Sequence, residues 1–230
     1  MEHRPGRALS AEFAGTAVLT AVVVGSGLMA ANLTHDTAVA LLLNAVSTVS
    51  ALGLLIWALG PISGAHFNPA VSLVMCIRGS LSTAAAAGYI VAQCAGAVAG
   101  ASLANLMYEQ PALSISGTAR GGLGQLLGEF VATAGLLAVI CMALDRGAAS
   151  QVPVLVPAWI ASACLFTSST ALANPAVTLG RVFSDSFAGI APASVGGFAT
   201  AQAVGALVGV ALARVAVSQT KEESHVISQR

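Results

Sequence analysis

Two Asn-Pro-Ala triplets are the residues of this sequence whose type and spacing point most directly to chemistry. Each opens a short apolar stretch of about ten residues. Proline suits the first turn of a helix, because its missing N–H would have no partner there. A preceding asparagine caps the helix with its side-chain oxygen and can still donate through its amide nitrogen. The sequence therefore predicts two short helices with a donor at each start, formed by Asn68, Pro69 and Ala70 and by Asn174, Pro175 and Ala176.

The two predicted helices are too short to cross a bilayer, which takes about 20 residues. Such segments are tolerated at membrane depth only where protein or a water-filled cavity covers the backbone. Entering from opposite faces, they would meet at mid-membrane with about half a positive charge at each N-terminus. A permeating water would meet donors and positive potential there, which disfavour cations and protons. A single triplet is more typical of a turn, whereas two at equivalent positions predict a pore.

An internal repeat makes these positions equivalent. Glutamate, Asn-Pro-Ala and glutamine follow one another in both halves, at offsets of 117, 106 and 109 residues. The first half carries Glu12, Asn68 and Gln93, and the second Glu129, Asn174 and Gln202. We predict a single channel domain over 1–230, built from repeats at about 8–105 and 124–217. With three spans in each half, the second must be inverted, which is typical of transport proteins.

The composition places the chain in a membrane. Of its 230 residues 57% are hydrophobic and 8% charged, and the mean hydropathy is +0.86. Soluble domains carry about 25% charged residues, and a net charge of zero without a basic block argues against nucleic-acid binding. We expect an all-α membrane protein with two re-entrant half-helices and six transmembrane helices, at 10–31, 38–59, 82–105, 124–144, 153–170 and 193–217.

The basic residues predict the orientation, because cytoplasmic loops carry an excess of Lys and Arg. With both termini inside, only Arg120 and Arg181 fall on the outer side. The cytoplasmic side then carries Arg4, Arg7, Arg78, Arg146, Arg214, Lys221 and Arg230. We therefore expect a multi-pass protein of the cell inner (plasma) membrane with cytoplasmic termini.

The doubled triplet resembles the aquaporin and aquaglyceroporin (major intrinsic protein) family. The segment Gly-Pro-Ile-Ser-Gly-Ala-His-Phe at 60–67, before Asn68, belongs to the same resemblance. The resemblance implies the hourglass fold, Asn68 and Asn174 as paired pore donors, and a homotetramer with one pore per subunit. Membrane lipids and small uncharged solutes are then the expected partners. We expect no cofactor, no bound metal and no enzymatic activity.

The sequence departs from the usual family pattern at the selectivity filter. An arginine usually follows the second triplet, and Val177 stands there. Counting without gaps puts the other filter positions at Thr48, Ser162 and Ala171. These side chains predict a wide filter without charge or aromatic rings. The chain thus resembles the bacterial branch associated with arsenic resistance, which implies passage of water, glycerol-like polyols, metalloid hydroxides or methylated arsenicals.

Arg181 stands four residues after Val177, on the same face of the second short helix. Its position predicts a weaker positive charge at the outer mouth, above the filter. The alternative is a surface ion pair with Asp185, worth about 0–1 kcal/mol.

The remaining polar residues of the spans have two interpretations. Glu12 and Glu129 lie in apolar helices, where a carboxylate is costly and usually functional. They could form a proton relay, or they could accept hydrogen bonds from the irregular backbone of the re-entrant loops, the interpretation we favour. Gln93 and Gln202 are expected to support those loops in the same way. His66 is expected near the first loop, paired with Glu12, rather than as a metal ligand.

Two other classes of protein remain open at this stage. An ion-coupled secondary carrier can also be built from inverted repeats and broken helices, with Glu12 and Glu129 as its candidate coupling groups. An intramembrane enzyme is a poorer fit, because the sequence contains neither a His/Glu metal motif nor a nucleophile elbow. The cysteines, all in apolar stretches, are expected to be free thiols: Cys76, Cys94, Cys141 and Cys164.

Overall fold

A computed structural model describes the backbone of residues 5–228 and the side chains of residues 6–217. Arg4 and Arg230, which contribute to the predicted orientation, lie outside the described residues, as does the side chain of Lys221. Within the described range the regular secondary structure is entirely helical, and there is no strand.

The described residues form six long α-helices and two short ones, with two single-turn 3-10 helices at Ala149–Gln151 and Arg181–Phe183. The long helices are α1 (Pro5–Leu33), α2 (Thr37–Ser63), α4 (Thr83–Met107), α5 (Leu123–Asp145), α6 (Val152–Phe166) and α8 (Pro192–Ser228). The short ones are α3 (Pro69–Ile77) and α7 (Pro175–Gly180). Six helical segments of the described chain are long and apolar enough to cross a membrane. The predicted fold class is thereby confirmed: six spanning helices and two half-helices, in two equivalent halves.

Two predicted helix ends were wrong. The second span continues to Ser63, past Pro61, and ends where Gly64 takes a left-handed conformation with φ of 87°. The fifth span ends at Phe166 rather than at 170. The residues after it cannot continue a helix, because Thr170, Ala171 and Ala173 all have positive φ. These residues form an irregular loop that leads into the second triplet.

Equivalent helix pairs pack in both halves through glycines. A methyl group added to Gly96 of α4 would overlap the carbonyl oxygen of Phe13 on α1, and one added to Gly205 of α8 would overlap that of Phe130 on α5. Helix association in a bilayer depends on such close contact, because lipid leaves little hydrophobic drive between helices. These crossings place Glu12 and Glu129 on the inward faces of α1 and α5, where both are fully buried.

The two ends of the bundle carry different basic residues. Arg78 caps the C-terminus of α3 and forms an ion pair with Asp145 at the end of α5. Arg181 follows α7 at the opposite end. We refer to these as the Arg78 end and the Arg181 end.

Candidate pore

The two short helices meet at their N-termini through reciprocal hydrogen bonds. Nδ2 of Asn68 donates to the carbonyl oxygen of Ala173 over 2.8 Å, and Nδ2 of Asn174 donates to that of Phe67 over 2.8 Å. Each Oδ1 meanwhile caps its own helix. An amide nitrogen carries two hydrogens. Nδ2 of Asn68 and Nδ2 of Asn174 each donate one of their two hydrogens to a protein carbonyl.

The loops before the triplets are held in unusual backbone conformations. Ala65 and Phe67 have φ of 51° and 49°, and Ala171 and Ala173 have φ of 51° and 47°. Non-glycine residues rarely adopt this region, and it costs about 1–3 kcal/mol each. Such a conformation persists only where surrounding groups over-determine it, and in both halves a buried glutamate does so.

Glu12 holds the first loop. Its Oε1 accepts from the hydroxyl of Ser63 at 2.6 Å and from the backbone N–H of His66 at 2.9 Å. Its Oε2 accepts from the N–H of Phe67 at 2.7 Å and from Nε2 of Gln93 at 2.8 Å. The carboxylate therefore satisfies two backbone donors that would otherwise be buried without partners.

Glu129 repeats this arrangement in the second half. It accepts from the backbone N–H groups of Leu172 and Ala173, both at 2.8 Å, and from Nε2 of Gln202 at 2.6 Å. Neither glutamate is among the residues that line the central cavity.

The two glutamines bind the glutamates and the half-helices. Nε2 of Gln93 donates to Glu12 and to the hydroxyl of Ser72 on α3, at 2.8 Å each. Nε2 of Gln202 donates to Glu129 and, at 3.0 Å, to the hydroxyl of Thr178 on α7. Each amide nitrogen points at the carboxylate, so each glutamine joins the glutamate to the half-helix.

His66 contacts Glu12 through its backbone N–H. Nδ1 of the ring lies 3.0 Å from the hydroxyl of Ser72, and the ring packs edge-on against Tyr89. The described residues contain no group of three His, Cys, Asp or Glu side chains that could hold a metal.

One cavity of about 660 Å³ runs past the junction of the half-helices. At the Arg78 end it is lined by Gly60, His66 and Ser150, and at the Arg181 end by Asn44, Thr48 and Arg181. Asn68 and Asn174 both line it between these ends. The side chains in between are mostly apolar, and none of the described lining residues is acidic.

Three of the four predicted filter residues line this cavity, namely Thr48, Ala171 and Val177. The hydroxyl oxygen of Thr48 has no hydrogen-bond partner in the described part of the chain. Ser162 does not line the cavity: its side chain is exposed, and its hydroxyl donates to the carbonyl oxygen of Ala158.

The contribution of α6 to the cavity comes instead from Val156, Ile160 and Cys164. These residues are spaced by four and therefore share one face of the helix, whereas a position two residues away lies on the opposite face. Counting back from the triplet missed this face because it assumes a fixed rotation of α6. Because α6 is apolar at nearly every position, its sequence carried no signal for the face that turns inward.

Asn44 is a second lining residue that sequence reasoning missed. It precedes Thr48 by one turn of α2, so it shares the face of that predicted filter residue. Its Nδ2 donates to the carbonyl oxygen of Val23 and to the hydroxyl of Ser26, at 2.7 and 2.9 Å. The spacing from Thr48 was the signal that could have found it.

Arg181 is buried, with 7% of its surface exposed, and it lines the cavity. Its Nε donates to the carbonyl oxygen of Ala188. It does not pair with Asp185, whose Oδ1 accepts instead from the backbone N–H of Gly117 at 3.1 Å. The alternative of a surface ion pair is therefore wrong, because the side chain turns inward to a loop carbonyl.

Six spanning helices around a continuous cavity, with two half-helices meeting inside it, define a transmembrane channel. The family model for the major intrinsic protein family matches residues 2–170, and the chain belongs to that family. It is a passive channel for small uncharged solutes, and no finding supports an ion-coupled carrier.

Named relatives are similar over much of the chain. Aquaglyceroporin AqpS of Rhizobium meliloti (strain 1021) is 48% identical over 204 residues, which cover 89% of this chain and 87% of that protein. Aquaporin Z of Brucella melitensis biotype 1 is 36% identical over 140 residues, which cover 58% of this chain and 59% of that protein. The X-ray structure of the aquaglyceroporin from Plasmodium falciparum has the same fold, with a TM-score of 0.68 at 22% identity over 91% of this chain and 94% of that one.

Proposed function

We propose that this channel has a wide, arginine-free filter that passes glycerol-like polyols, metalloid hydroxides or methylated arsenicals besides water. The observation that carries the proposal is Val177 on the cavity wall, at the position after the second triplet. Ala171 and Thr48 line the same cavity and add only a methyl group and a small hydroxyl. The similarity to an aquaglyceroporin over most of the chain supports solutes larger than water.

At the centre of the pore, Asn68 and Asn174 are the proposed paired donors. Each keeps one amide hydrogen after its bond to a loop carbonyl. Both also stand at the positive ends of half-helix dipoles. A water or hydroxyl passing between them would donate outward in both directions, which interrupts a proton-conducting chain.

Glu12, Glu129, Gln93, Gln202 and His66 are proposed to support the loops and half-helices rather than to move protons. Every carboxylate oxygen of Glu12 and Glu129 already accepts a hydrogen bond from the protein. A coupled carrier would need a carboxylate that reaches the permeation path, and the described cavity lining has none. The same arrangement fits a channel without enzymatic activity.

We further propose a single channel domain over 1–230, with inverted repeats at about 8–105 and 124–217. The Arg78 end would face the cytoplasm of a bacterial inner membrane, with both termini on that side, because most Lys and Arg residues belong there. Arg181 would then be at the outer mouth. The family resemblance supports a homotetramer with one pore per subunit.

A stopped-flow panel on proteoliposomes tests the solute proposal. Water, glycerol, arsenous acid and a methylated arsenical are compared in vesicles with and without the channel. We expect faster flux of all four, without saturation at modest concentration and without dependence on an ion gradient. Flux of water alone would contradict the wide filter, and dependence on a proton gradient would favour a carrier.

A further inference from the structure

The Arg181 end of the cavity contains hydrogen-bonding groups that the protein itself does not use. Nε of Arg181 donates to the carbonyl oxygen of Ala188. Its two terminal amino groups have no acceptor in the described part of the chain, although the side chain is nine-tenths buried and lines the cavity. A guanidinium carries five N–H donors in a planar fork, so most of its donors are free for a solute.

Asn44 supplies an unused acceptor at the same end. The carbonyl oxygen of Val23 can only accept, and the hydroxyl of Ser26 already donates to Val22, so both neighbours of the Asn44 amide nitrogen are acceptors. The amide of Asn44 is therefore oriented with Nδ2 toward α1 and with Oδ1 pointing away from α1. No donor to Oδ1 exists among the described residues, and Asn44 lines the cavity.

Gly27 lies next to both Asn44 and Ala188. A methyl group added to Gly27 would lie 3.1 Å from Cβ of Ala188 and 3.7 Å from Nδ2 of Asn44. Ala188 is the residue whose carbonyl oxygen accepts from Arg181. The donor fork of Arg181 and the neutral acceptor of Asn44 therefore belong to the same end of the cavity, which both residues line.

We propose that this end of the pore is a binding subsite for an undissociated small oxoacid, a group of the form HO–X=O. The X=O oxygen accepts from the terminal amino groups of Arg181, and the acid hydroxyl donates to Oδ1 of Asn44. The inference rests on the proposed function only in taking the cavity as the permeation path.

The pair selects against other classes of solute. A cation is repelled by Arg181, and no acidic side chain lines the described cavity to offset that charge. An oxyanion would bind the guanidinium but would place an oxygen against Oδ1 of Asn44 without a hydrogen between them. An ester keeps the X=O acceptor and loses the hydroxyl donor. A polyol can form both bonds, but a guanidinium binds best to the polarised, planar acceptor that an acid presents.

The test measures competition for the pore at a single acidic pH at which acetic acid is undissociated. Proteoliposomes are equilibrated on both sides with acetic acid, methyl acetate or methanesulfonate, and glycerol flux is then recorded by stopped flow. Equal concentrations on both sides remove any osmotic effect of the probe itself. We expect acetic acid to reduce the flux with saturation, while methyl acetate and the permanent anion methanesulfonate reduce it far less.

Arg181→Gln should raise the half-inhibiting acid concentration at least about tenfold, which corresponds to about 1.4 kcal/mol. Arg120→Gln is the matched control, because Arg120 is also partly buried and also donates to loop carbonyls, of Gly189 and Phe187, but does not line the cavity. Its inhibition should equal that of the parent. If the glutamine variant does not fold, Arg181→Lys replaces it in the test. The lysine keeps the charge but lacks the planar guanidinium donors, so the half-inhibiting acid concentration should again rise.

Equal inhibition by methyl acetate or by methanesulfonate, or no inhibition by acetic acid, would overturn the proposal on the parent protein alone. Unchanged inhibition in a conducting Arg181 variant would overturn it as well. If the parent does not pass glycerol, the wide-filter proposal fails, and the acid is then tested against water flux. The two proposals can therefore fail separately.

Discussion

Nδ2 of Asn68 donates to the carbonyl oxygen of Ala173 across the meeting point of the two half-helices, over 2.8 Å. Asn174 makes the reciprocal bond to Phe67. These bonds join the two halves of the chain beside the cavity that both asparagines line. They also fix the direction of each amide, because Oδ1 of each asparagine is bound to the first turn of its own helix.

The first prediction concerns this junction. Asn68→Ala removes a helix cap, worth about 0.5–2 kcal/mol, and the bond to Ala173, so it should lower both the melting temperature in detergent and the water flux per folded channel. Asn174→Ala should do the same by symmetry. Asn105→Ala is the control: Asn105 also donates to loop carbonyls, of Ala112 and Phe183, but does not line the cavity. It should cost stability and leave the flux unchanged. Equal flux in all three variants would contradict the assigned pore donors.

The second prediction separates loop support from proton transport. Glu12→Ala leaves the N–H groups of His66 and Phe67 without acceptors, at about 1–3 kcal/mol each, and should sharply reduce the yield of folded protein. Glu12→Gln keeps one carbonyl oxygen and should retain much of the flux. The exposed Glu109 offers a control, since Glu109→Ala should change neither yield nor flux. At Glu129 the alanine variant is likewise expected to fold poorly and the glutamine variant to retain much of the flux. A flux driven by a proton gradient and abolished by the glutamine change would favour the carrier.

The third prediction tests the filter. Val177→Arg places a long cationic side chain on the cavity wall and narrows the permeation path there. Glycerol and arsenical flux should therefore fall by about tenfold or more, while water flux stays measurable. Val177→Leu, which adds bulk without charge, shows whether size alone suffices. Undiminished glycerol flux in a folded arginine variant would show that Val177 is not the filter.

The fourth prediction decides which side of α6 faces the permeation path. Cys164→Phe adds a ring toward the cavity and should reduce glycerol flux strongly, because Cys164 is a buried lining residue. Ser162→Phe adds the same ring to the exposed opposite face and should leave flux unchanged. Comparable folded yields, measured by gel filtration in detergent, make the two variants a matched pair. The reverse result would restore the position obtained by counting from the triplet.

Local chemistry in the sequence was enough to predict the framework of this channel. The proline after each asparagine requires a helix start, the apolar runs require spans, and the odd number of spans per repeat requires inversion. The buried glutamates could be assigned to the loops because irregular backbone in a membrane needs acceptors for its N–H groups. Each of these inferences depends on neighbouring residues or on the repeat. None of them requires the rotation of a helix about its axis to be known.

The pore wall was decided by tertiary structure. Ser162 and Cys164 are two residues apart in one apolar helix, and only the packing of α6 against its neighbours turns Cys164 inward and Ser162 outward. Arg181 turns into the cavity because Ala188, seven residues later, presents a carbonyl oxygen to it. Asn44 has its direction set by two acceptors on α1, at a distance of 18 and 21 residues along the chain. Apolar periodicity carries no information on such contacts, because a helix that is apolar on all sides can be rotated without changing what its sequence allows.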